Sequence, residues 1–235
     1  MLWTRGLAFL AVGVIAAVAL ACGGGDADAP AENSATDAPS AETSPLAGSP
    51  TATPNCSDPT DEAAEAAPKA FDSGPEQVID PEKSYTAVIH TERGDFTMTL
   101  RADLAPQHVN SFVFLARDGY YDGVTFHRVL PGFVAQAGDP TGTGEGNPGY
   151  TLPAEFTDGF SFIEGVVGAA RLPGDINSAG SQWFVTLDDA SHLNGEYTVF
   201  AEVTQGIDVV QCLTARDSQT APPGDKIIGI EIIEG

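Results

Sequence analysis

The sequence is poor in positive charge. It has 10 Lys and Arg residues against 33 Asp and Glu residues, which gives a formal net charge of −23 at pH 7. A surface this acidic repels phosphate backbones, and no cluster of basic residues is present to hold anionic lipid headgroups. The composition therefore excludes nucleic acid as a partner class.

Histidine and cysteine are also scarce, with four and three residues respectively. Their scattered positions match no metal-ligand spacing, so we predict neither a metal nor another cofactor. Cys56 and Cys212 could pair in an oxidising compartment. However, Cys56 lies in a segment that we expect to be flexible, and Cys212 lies in an apolar run typical of a buried core. The favoured prediction is therefore an unpaired Cys212 in the core.

The N-terminal apolar run is too short to cross a bilayer. It extends from Leu7 to Leu20, about 14 residues, whereas a spanning helix needs about 20. Arg5 precedes the run and small residues end it at Ala21-Cys22, which resembles a bacterial lipoprotein signal. We predict a signal peptide over residues 1–21, lipidation of Cys22 and an extracytoplasmic position on a bacterial membrane. A plain signal peptide with an incidental cysteine is the alternative.

Large apolar residues are nearly absent from residues 22–68, where Ala, Gly, Ser, Thr, Pro, Asp and Glu predominate. Such a segment cannot bury enough surface to offset its ordering entropy. We therefore predict a disordered acidic tether there and a single domain over residues 69–235. That length is sufficient for one hydrophobic core.

The domain alternates apolar and polar residues over many short runs, a pattern typical of strands. Apolar residues at helical spacing after Pro106 predict a helix instead. The predicted strands are 85–90, 96–100, two within 124–139, 166–170, 182–187, 198–203 and 227–233, and the predicted helices are 105–117 and 207–213. We expect a mainly β fold, a closed eight-stranded antiparallel barrel capped by two helices.

Residues 124–139 contain the most informative stretch. Pro131-Gly132 predicts a turn between two strands. Because side chains alternate faces along a strand, Phe126 and Arg128 should share one face, and Val134 and Gln136 should do the same. One fixed cation, one amide and several apolar groups then meet on one concave surface. This predicts a site for an uncharged, partly apolar ligand that needs one strong hydrogen bond.

Two other motifs suggest chemistry that the sequence does not support. Residues 144–149 match the dinucleotide pattern G-x-G-x-x-G, but Pro148 and Pro153 prevent the helix that this motif requires, and Glu145 would repel a pyrophosphate. We predict a loop there that can form a wall of the site. Ser181 lacks the G-x-S-x-G setting of an activated nucleophile.

Three blocks of the sequence together resemble one known family. They are residues 126–139 (FHRVLPGFVAQAGD), 177–184 (NSAGSQWF) and 192–200 (HLNGEYTVF). They resemble the cyclophilin family of peptidyl-prolyl cis-trans isomerases, and the similarity extends over roughly residues 83–235. The resemblance implies an isomerase that assists folding by acting on proline-containing polypeptides, here exported ones. It implies no cofactor, and we expect a monomer.

The resemblance also assigns roles to individual positions. Arg128 matches the catalytic arginine, and we expect Gln136 on the adjoining strand to assist it. The predicted substrate-binding residues are Phe126, Phe133, Val134, Ala170, Arg171, Gln182, Phe184, His192, Leu193 and Tyr197. Val134 replaces a frequent Met, His192 a Trp found in several eukaryotic members, and Tyr197 a frequent His. The change at 192 implies weaker cyclosporin binding, and a segment one residue longer than usual follows Arg171.

Two functions of other classes compete with the enzyme. One is a proline-peptide binding module or holdase, and the other is a structural or adhesion lipoprotein. The complete set of catalytic and groove residues favours the enzyme. A nucleophile, a general base or a metal is not required, because rotation about an X–Pro bond breaks no covalent bond and transfers no proton.

Overall fold

The computed structural model describes residues 56–60, 63–217 and 223–235. Within these ranges, two helices and eight strands form at the predicted places. The strands are β1 (Tyr85–Thr91), β2 (Gly94–Leu100), β3 (Arg128–Leu130), β4 (Val134–Ala137), β5 (Val166–Ala169), β6 (Trp183–Thr186), β7 (Val199–Gln205) and β8 (Ile227–Glu234). The helices are α1 (Pro106–Arg117) and α2 (Ile207–Gln211), and a 3-10 turn covers Ser191–Leu193.

The eight described strands form one antiparallel sheet in the order β3-β4-β6-β5-β7-β2-β1-β8. The prediction of a closed barrel is wrong, because the sheet curls but stays open between β3 and β8. These two edges do not pair as strands. Isolated bridges, Thr125 with Lys226 and Val129 with Arg216, connect the neighbouring segments instead. The short β3 has only three residues to offer, which limits its pairing to β4 and one bridge.

Helix α1 packs against the sheet through an apolar face. Pro106 begins the helix, where its missing N–H costs nothing, and Val109, Phe112 and Val113 are buried. The Glu155 carboxylate accepts hydrogen bonds from the backbone N–H groups of residues 107 and 108, at 3.1 and 3.0 Å. It thereby satisfies donors that have no partner within the helix.

The main core lies between α1 and one face of the sheet. Trp183 is 1% exposed and makes edge-to-face contacts with Phe112 and Phe126, with ring centroids 6.2 and 5.8 Å apart. Trp183 is therefore a residue of the main core. Phe126 is 0% exposed, which corrects its assignment to the substrate groove. Phe126 precedes β3, so strand alternation does not extend back to it, and its side chain turns into the core.

A second, smaller cluster lies on the other face of β4, β5 and β6. We call it the groove cluster, and its buried members are Val134, Phe162, Val166, Phe184, Ala190 and Val199. Partly buried residues, including Phe133, Leu193 and Tyr197, pack against it. Side chains of one strand alternate between the two cores, so Trp183 belongs to the main core and its neighbour Phe184 to the groove cluster.

The segment before the domain is attached to it. Cys56 and Cys212 form a disulfide, which corrects the favoured prediction that Cys212 is unpaired. Thr60 donates its backbone N–H to the carbonyl of Glu92 at 2.8 Å, and Arg93 donates to the carbonyl of Ser57 at 2.9 Å. Residues 56–60 are therefore held against the domain and not part of a free tether. Composition could not reveal this, because the attachment depends on Glu92, Arg93 and Cys212, which lie far from residues 56–60 in the sequence.

The predicted signal peptide (1–21), the lipidation site Cys22 and the tether as far as residue 55 lie outside the described residues. No helix within the described ranges is long and apolar enough to cross a membrane.

Candidate active site

The register of four neighbouring strands aligns the candidate residues in one row. Arg128 on β3 lies directly opposite Gln136 on β4, Gln136 opposite Phe184 on β6, and Phe184 opposite Gly168 on β5. Directly opposed residues point to the same face of a sheet. The structure thus brings the predicted cation and amide together beside the exposed side of the groove cluster.

An open groove of about 100 Å³ lies along this row. Its lining is mainly apolar and also includes the side chains of Arg128 and Gln136. Its lining residues are Arg128, Phe133, Val134, Gln136, Ala170, Arg171, Phe184, Leu193 and Tyr197. Nine of the twelve predicted site residues therefore meet in one concave surface.

Two aromatic contacts shape the apolar part of the groove. The Phe184 ring stacks on Phe162 at 5.6 Å and meets Tyr197 edge-to-face at 5.4 Å. Gly168 makes room for this arrangement, because a Cβ atom there would lie 2.5 Å from the Phe184 ring. The ring is fixed between neighbours and cannot give way. A glycine inside a buried strand often marks such a close approach, so the sequence did carry a signal for Gly168.

Arg128 lies half-exposed at the edge of the groove, with 37% of its side chain accessible. Its guanidinium lies 5.8 Å from the centre of the Phe133 ring, a distance typical of a cation–π contact. Its Nε donates a hydrogen bond to Oδ1 of Asp217 at 3.0 Å. Sequence reasoning missed Asp217, because the pair is separated by 89 residues and Asp217 belongs to no motif.

The two glutamines act together. Gln136 donates from Nε2 to Oε1 of Gln182 at 2.9 Å. The amide of Gln182 in turn donates to the carbonyls of Gly144 and Gly146, at 2.9 and 2.8 Å. Both hydrogens of that amide are therefore used to hold the glycine-rich loop. Gln182 lines a neighbouring cavity and not the groove itself, so it supports Gln136 from behind.

The guanidinium of Arg171 is paired outside the groove, so Arg171 contributes the aliphatic part of its side chain to the groove and not its charge. Its Nε donates to the Glu196 carbonyl at 2.8 Å, and a terminal nitrogen forms a 3.0 Å ion pair with the Glu196 carboxylate. The guanidinium also lies 4.8 Å from the centre of the Tyr197 ring. Arg171 therefore joins the segment after β5 to the segment that carries Tyr197.

His192 is exposed and does not line the groove. Its ring stacks on Phe133 with centroids 5.5 Å apart, while the groove itself is lined by its neighbour Leu193. Within the 3-10 turn Ser191–Leu193, His192 is exposed and Leu193 is partly buried. We conclude that His192 affects the groove through Phe133.

A second recess adjoins Arg128 on the side away from the apolar groove. His127, Thr143, Gly144 and Asp217 line it together with Arg128 and Gln136. His127 precedes β3, which begins at Arg128, and lines this recess together with Arg128. Burial lowers the pKa of His127, although the nearby Asp139 carboxylate acts in the opposite direction.

The glycine-rich loop folds around one buried carboxylate. Asp139 is 0% exposed and accepts hydrogen bonds from the backbone N–H groups of residues 141, 143, 144 and 146. Burial alone would raise the pKa of Asp139, but the hydrogen bonds from Thr141 and the backbone outweigh it and lower that pKa. Gly146 packs so closely that a Cβ atom would lie 2.0 Å from Asp139. Residues 144–149 form a loop, as predicted, but residues 144–147 line the cavity beside the groove and not the groove itself.

The described residues provide neither an activated serine nucleophile nor a metal site. Ser181 is buried and its hydroxyl donates to the Gly138 carbonyl at 2.7 Å, which is a structural role. Within the ranges that the structure describes, no group of three or more His, Cys, Asp or Glu side chains is arranged to hold a metal ion.

Comparison with known proteins agrees with this geometry. The sequence model of the family described as "Cyclophilin type peptidyl-prolyl cis-trans isomerase/CLD" matches residues 86–232. The chain is 44% identical over 143 residues to a probable peptidyl-prolyl cis-trans isomerase of Brucella suis, which covers 56% of this chain and 71% of that protein. It is 37% identical over 149 residues to a peptidyl-prolyl cis-trans isomerase of Synechococcus elongatus, which covers 63% and 95%.

The fold is similar to that of solved structures as well. A cyclophilin-type isomerase of Cryptosporidium parvum superimposes with a TM-score of 0.59 at 28% identity, covering 64% of this chain and 98% of that chain. A second structure of the same isomerase was determined in the presence of the dipeptide Ala-Pro. Since the family match spans more than half of the sequence and the groove residues converge in space, the chain belongs to the cyclophilin family and is a peptidyl-prolyl cis-trans isomerase.

Proposed function

We propose that this isomerase accelerates X–Pro rotation by donating hydrogen bonds from Arg128 to the twisted amide. In the twisted transition state the prolyl nitrogen loses conjugation and gains a lone pair. A fixed donor directed at that nitrogen binds the transition state better than either planar isomer, which is the requirement for catalysis. The observation that carries the proposal is the pairing of Arg128 with Gln136 beside the apolar groove.

Arg128 cannot supply the whole rate enhancement. Uncatalysed isomerisation takes about 10–100 s, so a turnover of about 100–1,000 per second requires an acceleration of roughly three to five decades, or about 4–7 kcal/mol. A hydrogen bond to a charged group contributes about 1.5–3 kcal/mol. The remainder must come from removing water around the amide and from holding the backbone on either side of it.

The apolar residues of the groove are suited to that remainder. Phe133, Val134, Phe184 and Leu193 present a surface for the prolyl ring. Excluding water strengthens the hydrogen bond from Arg128, since the local dielectric constant falls. Val134 makes the wall shorter than the Met frequent in the family, which leaves room for a loosely held ring.

A protease-coupled assay on an X–Pro peptide tests the role of Arg128. We expect Arg128→Ala to lower kcat/KM at least about 100-fold, while peptide binding measured by calorimetry persists weakly. Arg117→Ala is the matched control, because Arg117 is a partly exposed arginine on α1 that pairs with Glu234. Equal rates for Arg128→Ala and the wild type would remove Arg128 from the mechanism.

Two further experiments, on aggregation and on refolding, separate the enzyme mechanism from a binding module. If the protein acts mainly as a proline-peptide holdase, suppression of aggregation would be the same for Arg128→Ala and the wild type. In a refolding experiment with a client that has a native cis-proline, an isomerase speeds the slow phase and a holdase does not. We expect acceleration that depends on Arg128.

We further propose that the protein is a monomer that acts on exported proteins while anchored to a bacterial membrane through lipidated Cys22. The support is the short apolar run that ends at Ala21-Cys22 and the disulfide, which requires an oxidising compartment. We expect Cys22→Ala to move the protein from the membrane to the soluble fraction. Retention of this variant in the membrane fraction would refute the lipid anchor.

A further inference from the structure

We propose that Asp217 is a positioning residue, which orients Arg128 toward the substrate amide. The inference rests on the role proposed above for Arg128. Oδ1 of Asp217 accepts a hydrogen bond from Nε of Arg128 at 3.0 Å. This bond occupies the inner nitrogen of the guanidinium and leaves its two terminal nitrogens available to the groove.

Arg128 needs such a partner because of its place in the sheet. It lies on β3, the edge strand at the open end of the sheet, where β4 supports it from one side. A long, half-exposed arginine side chain otherwise samples many rotamers. On the side away from β4, the contact that the described residues supply is Asp217.

The backbone next to Asp217 is fixed to β3 itself. Val129 donates its N–H to the Arg216 carbonyl at 2.8 Å, and Arg216 donates its N–H to the Val129 carbonyl at 2.9 Å. Asp217 follows Arg216 by one residue, and Arg128 precedes Val129 by one residue, so the two lie opposite each other next to the antiparallel Val129–Arg216 bridge. This register places the two side chains beside each other.

The segment that leads to Asp217 is also anchored further back. Cys212 is joined to Cys56, and Thr214 donates its backbone N–H to the Asp225 carboxylate. Asp225 is itself 4% exposed and paired with Arg93, whose Nε lies 2.8 Å from Oδ1. Asp217 thus extends from a backbone held at several points.

Two opposing effects of Asp217 can be distinguished. As a hydrogen-bond acceptor it restricts Arg128 to one orientation, which favours catalysis. As a negative charge it weakens the field of the guanidinium at the prolyl nitrogen, which opposes catalysis. The charge is exposed on the Asp217 side, where 62% of the side chain is accessible, so water screens it. The orientation effect therefore dominates.

Two substitutions separate these effects in the full chain, assayed with an uncharged X–Pro peptide. Asp217→Ala removes the acceptor and the charge, and we expect kcat to fall about three- to tenfold with KM within about twofold. Asp217→Asn keeps an acceptor oxygen and removes the charge, and we expect it to retain kcat within about twofold. An unchanged or raised kcat for Asp217→Ala would overturn the proposal.

A double-mutant cycle identifies the residue through which Asp217 acts. If Asp217 works through Arg128, Asp217→Ala has no further effect on the residual activity of Arg128→Ala. An additional loss in that background would overturn the proposal. Asp208→Ala on α2 is the control for removing one exposed acidic charge, and we expect it to leave kcat unchanged.

Two readouts exclude a purely structural role. We expect the melting temperature of Asp217→Ala to match that of the wild type, since an exposed pair contributes little stability. Raising the salt concentration should leave the wild-type kcat within about twofold, as for Asp217→Asn, because salt screens the charge and leaves the hydrogen bond to Arg128 in place. If Arg128→Ala reduces activity and Asp217→Ala does not, only this inference fails. If neither does, the proposed role of Arg128 fails as well.

Discussion

The main core and the groove cluster are packed from the same strands but differ in closure. The main core is enclosed by α1 and the sheet, and its largest side chains, such as Trp183 and Phe126, are fully buried. The groove cluster has six buried residues, and one side is left to partly exposed rings such as Phe133 and Tyr197. Stability and recognition are therefore assigned to opposite faces of one sheet.

This difference follows from strand alternation. On β6, Trp183 contributes to the enclosed core and Phe184 to the open cluster. A substitution of one of these neighbours should therefore affect the free energy of unfolding, and a substitution of the other should affect the reaction. If the two faces are separable, a substitution on one face should change the free energy of unfolding and a substitution on the other should change kcat/KM.

The largest expected effect comes from a pair of phenylalanines seven positions apart. Phe126→Ala creates a cavity in the main core and should cost about 3–5 kcal/mol of unfolding free energy. Phe133→Ala removes a partly exposed ring beside Arg128 and should cost clearly less. Urea denaturation measures both. In the protease-coupled peptide assay under folding conditions we expect the reverse order, because Phe133→Ala should lower kcat/KM per folded molecule more than Phe126→Ala does.

A reversal of these two orders would show that Phe126 contacts substrate, as the sequence first indicated. Equal effects of both substitutions on stability and activity would show that the two clusters form one cooperative unit. Either outcome would remove the separation between the faces.

The disulfide provides the next largest effect, on the side of the molecule that carries α2. Cys56 and Cys212 are 156 residues apart in sequence, so the link greatly restricts the unfolded chain. Its removal by Cys56→Ser should cost about 2–4 kcal/mol. We expect kcat/KM to stay within about twofold under folding conditions, because Arg216 remains bridged to Val129.

Unfolding midpoints with and without reductant check this prediction. Cys56→Ser should be insensitive to reductant, and the wild type should fall to its level. A large loss of activity at full folding would mean that the disulfide also holds the segment that carries Asp217. That result would connect the two faces through the loop after α2.

Strand positions, the start of α1 and the hairpin of the site could be predicted, because they depend on local sequence patterns. Alternation located the eight strands within a few residues, and Pro106 located the start of α1. The site could be predicted because Arg128, Gln136, Phe133 and Val134 lie on one hairpin, whose register follows from the Pro131-Gly132 turn.

What the sequence could not provide depends on contacts between distant segments. The Cys56–Cys212 disulfide and the Asp217–Arg128 pair join residues that are 156 and 89 positions apart in the sequence. The open edge between β3 and β8 depends on the path of the whole sheet. Phe126 was misassigned for a local reason. Strand geometry begins only at Arg128, so the alternation does not extend back to Phe126.

The smallest expected effect concerns Asp139, which holds the loop between the groove and the main core. Its native pKa is lowered, so its carboxylate adds stability above the ordinary aspartate pKa, and that stability is lost as the pH falls from this value through the native pKa. Asp139→Asn keeps one acceptor oxygen and should cost about 1 kcal/mol at pH 7. This difference should shrink below about pH 4, because protonation removes the wild-type advantage. Urea titrations at pH 7 and pH 3 measure it. A difference that is constant with pH would mean that the carboxylate charge does not hold the loop, and that residues 144–147 keep their place beside Gln182 through packing alone.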